Sequence, residues 1–211
     1  MKWVGGILLL MLFGVSTKAQ NLVPNPSFEE YDVCPDGLND FNGYVSGWFK
    51  ASPSSTDYYH ACAGSVGEAG VPQNFPGYQV PRTGEAYAGI LCYTDGGTRE
   101  YVEIGLTQPL QADTAYCAEF YAVRCNYYGS VVSSLGICFT TDTAYEITID
   151  AISYVPQITN PLTDFITDTL NWTRVSGQFI AQGGERFVTI GNFLPNEESP
   201  VVTGPPNNSA Y

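Results

Sequence analysis

Apolar and polar side chains alternate with a period of two along much of this chain, and no stretch sustains the 3.6-residue apolar period of a helix. Tyr116, Ala118, Phe120 and Ala122 share one face of a run whose other face carries Cys117, Glu119, Tyr121 and Val123. Leu135, Ile137 and Phe139 alternate with Gly136, Cys138 and Thr140 in the same way. This pattern predicts strands over residues 44–49, 86–93, 101–107, 115–123, 134–140, 172–180 and 186–191. Residues 21–30 read as an opening strand, and Gln182-Gly183-Gly184-Glu185 reads as a hairpin turn, because adjacent glycines tolerate positive φ. Two irregular stretches, about 47–84 and about 144–169, separate the strands; long rim connections of this kind are where binding usually resides. Antiparallel strands without crossover helices point to an all-β fold, a jelly-roll β-sandwich of two antiparallel sheets.

The first residues break the alternation. Lys2 precedes an almost wholly apolar run from Val4 to Val15, and Thr17-Lys18-Ala19 supplies small residues before a cut ahead of Gln20. Residues 1–19 are therefore expected to be a secretory signal peptide, too short to span a bilayer. Residues 20–211 then form a single domain, long enough for a substantial core. At the other end, Pro205-Pro206-Asn207-Asn208-Ser209 is loop-like and Ala210-Tyr211 looks like a strand just beginning. The sandwich is accordingly expected to lack its last strand, as a C-terminally truncated domain would.

Composition narrows the partners. Tyr is abundant at 15 copies, Gly (22) and Pro (14) punctuate the chain, and the net charge is −13. So acidic a chain repels phosphate backbones and anionic bilayers, which excludes nucleic acid and membrane insertion as expectations. All six cysteines lie after the apolar run; with no CxxC and only His60 as histidine, a disulfide framework is expected rather than zinc. Cys34 and Cys62 both sit in loop-like sequence near the N-terminal end and are expected to pair. Cys138 could meet Cys117 or Cys125, and Cys92 is read as a buried thiol.

The set Asn21–Glu30, Cys34-Pro35, Gly47-Trp48, Asp57-Tyr58-Tyr59-His60-Ala61-Cys62, Gly77-Tyr78-Gln79, Arg82-Thr83-Gly84-Glu85-Ala86-Tyr87-Ala88-Gly89, Arg99-Glu100-Tyr101, Asn171-Trp172-Thr173 and Thr189-Ile190-Gly191-Asn192-Phe193 appears in order across the chain. In this set the chain resembles the jelly-roll, carbohydrate-binding-module-like (galactose-binding-like) domain at the N-terminus of secreted Bacteroidetes surface proteins. There a final strand rich in Tyr, Ile and Asp follows, and an outer-membrane-protein-A-like or type IX secretion sorting domain often comes after it. The resemblance implies an extracellular or outer-surface binding or adhesion role. It also implies a structural Ca²⁺ joining first and last strands, with Glu29 as a carboxylate ligand.

Three chemistries follow as expectations. Sugars stack apolar C–H faces on aromatic rings, so Trp48, Tyr58, Tyr59, Tyr78, Tyr127 and Tyr128 are the candidate ligand-binding residues, with Phe75 beside them. The partner is then a polysaccharide or cell-surface glycan; a structural spacer that binds a surface protein is the alternative. Asp32, Asp36 and Asp40 form an acidic loop without the spacing of an EF-hand. No catalytic residue is expected. Glu85, Glu100, Glu103 and Glu119 are available to a glycosidase, but no spacing singles out a pair, and no G-x-S-x-G elbow accompanies His60. A polysaccharide hydrolase is the third and least supported reading.

Overall fold

The structure, a computed structural model, describes residues 20–202. The signal segment with its cut after Ala19, and the interrupted strand at Ala210-Tyr211, lie outside those residues. The described residues form an all-β fold with one short 3₁₀ turn, Ala61–Ala63.

The main layer is a five-stranded antiparallel sheet, in the order β1 (Trp48–Lys50), β6 (Val102–Gly105), β12 (Phe187–Asn192), β9 (Leu135–Thr140), β10 (Ile158–Thr159). Its register explains the alternation. Val188 lies opposite both Ile104 and Phe139, and Ile190 opposite both Val102 and Ile137, so one face is a continuous apolar row. Fully burying each such side chain contributes about 1.5–3 kcal/mol. That face packs against two antiparallel ribbons, β7 (Ala115–Ala122) with β11 (Thr173–Ile180), and β2 (Asp57–His60) with β5 (Ala86–Gly89). Phe179 of β11 stacks on Phe139, ring centroids 4.6 Å apart. Gly177 lies so close to Ile158 that a Cβ there would sit 3.0 Å from it. Two smaller pairs complete the fold: β3 (Gln73–Asn74) with β4 (Gly77–Tyr78), and β8 (Val131–Val132) with β13 (Val201–Val202).

The opposite face of the main sheet is buried too. Glu103, Thr189 and Cys138 form one row across it, and Ala144, Ile152, Tyr101 and Phe193 close over that row. The Tyr101 hydroxyl donates to the Asn192 carbonyl and accepts from the Ile152 amide. The first part of the irregular stretch expected to form a binding rim is therefore a lid on the sheet.

Residues 21–30 are not a strand. Pro24 and Pro26 remove ladder donors, and Asn25 and Phe28 adopt positive φ (45° and 64°). The Asn25 side chain holds the segment instead: its amide donates to the carbonyls of Glu30 and Ser46, and its oxygen accepts from the Glu30 amide. β2 emerges from sequence read as loop. All four of its residues are buried, and its polar ends are satisfied inside: Asp57 accepts from the Asn39 amide, and His60 Nδ1 caps the 3₁₀ turn by accepting from the Cys62 amide.

Cys34 and Cys62 form the expected disulfide, with Cα atoms 6.0 Å apart. Cys138 meets neither suggested partner: Cys117 is exposed on β7 in the other layer, and Cys125 lies beyond the end of that strand. Cys92 is a buried thiol, pushed up to about 12 by desolvation.

Candidate functional site

An apolar cavity of about 570 Å³ lies between the layers. Its floor is the apolar row of the main sheet, including Val102, Ile137 and Ile190; its roof is formed by small residues of the ribbons, Ala86, Ala88, Ala118 and Ala122. These alanines leave the space that larger side chains would fill. At the mouth, the Arg82 guanidinium lies over the Tyr121 ring, 3.4 Å from its centroid. The Trp172 indole donates to the Val80 carbonyl and packs edge-on against Tyr87, which in turn rests on Tyr59.

Two loops meet beside this mouth. The Asn126 side-chain oxygen accepts from the Tyr78 amide at 2.6 Å, and the amides of Asn126 and Tyr127 donate to the Pro76 carbonyl. Gly77 makes the approach possible: a Cβ there would fall 2.3 Å from Asn126 Oδ1, at a φ of 138°. The effect is to fix Tyr78 (50% exposed) and Tyr127 (60%) on adjoining loops, with Phe75 (47%) on the Tyr78 side.

The expected platform residues therefore divide. Tyr78 and Tyr127 are exposed and brought together. Tyr58 and Tyr59 are fully buried, and Trp48 nearly so, so none of the three presents an exposed ring face. Tyr58 donates to the Phe28 carbonyl, Tyr59 to Asp57, and Trp48 to the Asn25 carbonyl. They are core residues because β1 and β2 are strands, one in each layer, whose side chains pack inward: Trp48 and Tyr58 into the main core, Tyr59 against Val71 and Tyr87. Tyr128 is half-buried, its hydroxyl pKa raised chiefly by desolvation. Sequence reading missed Arg82 and Asn126. The adjacent Gly77-Tyr78 and Asn126-Tyr127 pairs were the available signal, since a polar residue beside an aromatic in a loop can anchor as well as bind.

The carboxylates have structural duties. Glu100 accepts from the Ser55 amide and hydroxyl and the Leu91 amide; Glu103 accepts from the Ala144 amide and the Thr189 hydroxyl. Both are fully buried, and burial pushes both carboxyls above their ordinary range, against the pull of those hydrogen bonds. Glu119 pairs with exposed Arg174 at 2.6 Å. Glu85 is exposed.

Glu29 folds back over Gly84, where any Cβ would fall on its carboxylate, and both its oxygens accept from the Glu85 amide. Asp40 likewise accepts from the amides of Asp36 and Gly37, and Asp32 from the Ser46 hydroxyl. Among the described residues no three His, Cys, Asp or Glu converge into a group for a metal. Compared with known proteins, the chain matches no family model, no curated protein and no solved structure.

Proposed function

We propose that this chain is a non-catalytic, glycan-binding module of a secreted or cell-surface protein, built as a jelly roll. Phe75, Tyr78 and Tyr127 offer the stacking surface, and Gln79, Arg82 and Asn126 offer polar groups for hydroxyls. One observation carries the reading: two aromatic-bearing loops are tied together through Asn126 and Pro76, so the backbone that carries the exposed rings is held in place before any ligand arrives. Preorganised rings lose little entropy on binding, which is what weak carbohydrate contacts require. The supporting chemistry is the resemblance and the export signal read from the sequence.

A glycan array, followed by titration of any hit with Tyr78→Ala and Tyr127→Ala, tests it. Each truncation should weaken binding about tenfold or more while leaving the melting temperature within a degree or two, because both rings are solvent-facing. Absence of any glycan binding at millimolar concentration, or binding by both variants as tight as the parent's, overturns the proposal.

A further inference from the structure

We propose that the cavity between the layers is an acceptor slot for an extended polypeptide strand donated by a second chain, which would join the two ribbons into one sheet. Among the described residues β5 pairs only with β2, and β7 only with β11. No other backbone–backbone hydrogen bond within those residues reaches 86–90 or 115–123. Each ribbon thus has an edge that no described strand pairs. The cavity wall shows where those edges face. Side chains alternate between strand faces, so a strand seen face-on contributes every second residue to a cavity. Here Ala86 through Ile90 and Ala118 through Asn126 line it without a gap, which places both edges along the same space.

The occupant's chemistry follows. Open strand edges need amide and carbonyl partners, which an acyl chain does not supply. The apolar floor of Val102, Ile137 and Ile190 gives a sugar's hydroxyls no partner. An extended peptide meets both demands, with backbone toward the edges and alternate apolar side chains toward the floor. The small roof residues at Ala88 and Ala118 leave room for large ones. Two buried polar atoms in the lining, Ser130 Oγ and Arg124 Nε, have no hydrogen-bond partner among the described residues, and a donor strand's carbonyls would satisfy them. Arg82 and Arg124 make no salt bridge with a described carboxylate, so one acidic residue on the donor's outward side is complementary.

Titrate the full exported chain with a nine-residue peptide that alternates Ile or Val with Thr and carries one Asp, reading tryptophan fluorescence and the melting temperature. Saturable binding and a melting temperature that climbs with peptide concentration are expected. The same peptide N-methylated on alternate amides should bind at least about tenfold more weakly, since the edges would lose their partners. Ala118→Phe, which fills the slot, should abolish peptide binding and leave glycan binding at Tyr78 intact, so this proposal and the glycan reading fail separately. Equal binding of the N-methylated peptide, no peptide binding, or saturation by palmitate in place of the peptide each overturns it.

Discussion

At the residue scale, the buried acids Glu100 and Glu103 bear on stability through their hydrogen bonds and their desolvation. Glu103 is a carboxylate with no ion-pair partner among the described residues, held by an amide and a hydroxyl under the lid. Its folded pKa is raised, chiefly by burial. A raised carboxyl favours the folded state while protonated; that advantage fades as pH climbs from the unfolded pKa through the folded one. Glu103→Gln keeps an acceptor for the Ala144 amide and can donate to Thr189. The variant should melt close to the parent near pH 4, then exceed it by a margin that grows with pH and levels off above the folded pKa. A margin that is flat across pH 4–8 would contradict the shift. In the sequence Glu100 and Glu103 were two of four available acids that no spacing paired. Nothing in local spacing reveals that a carboxylate has been claimed by an amide some 41 positions away.

At the element scale, a strand was legible where its two faces met different surroundings. Residues 115–122 alternate because one face looks into the core and the other outward. Residues 135–140 are buried on both faces, yet still alternate, because Ile137 and Phe139 meet the apolar core while Cys138 meets the lid. β2 was hidden by its polar ends. Buried on both sides, it keeps Asp57 and His60 at its ends by satisfying them internally, and polar ends read as loop. Residues 21–30 failed differently: their order is supplied by the Asn25 side chain, a long-range device that periodicity does not record. Tyr78 and Tyr127 were recoverable from loop placement, but Tyr58 and Tyr59 could not be told from them until β2 was seen to be a strand. The Cys34–Cys62 bond was legible because both cysteines fall in turn-rich sequence. It ties the loop after residue 31 to the 3₁₀ turn, spanning 28 positions. Replacing both by Ser should cost about 3–4 kcal/mol by the chain-entropy model, seen as a lower melting temperature that a reducing agent reproduces in the parent.

At the scale of the whole molecule, the two layers differ in completeness. The five-stranded sheet is covered on both faces, by ribbons on one side and by 141–157 on the other. The second layer is two separate ribbons with a cavity along their inner edges. Local alternation could announce antiparallel strands, yet it could not say which of them share a sheet, since pairing order is set by contacts far apart in the chain. Amide exchange should therefore be slowest in β6, β9 and β12 and faster along the open edges of β5 and β7, with the difference narrowing when a strand peptide is added.

The exposed position of Cys117 has a further consequence. Gln178 donates to its sulfur from the neighbouring strand, and the side chain points away from the core, whereas Cys92 and Cys138 are buried with thiols pushed up to about 12. Mild oxidation should thus tether two molecules back to back through this one position, giving a covalent dimer on a non-reducing gel that Cys117→Ser eliminates. One bridge would thus hold two copies of the proposed binding loops, those of Tyr78 and Tyr127, in a single covalent unit. On the glycan-binding proposal, such a dimer should bind a multivalent glycan surface more tightly than the reduced monomer.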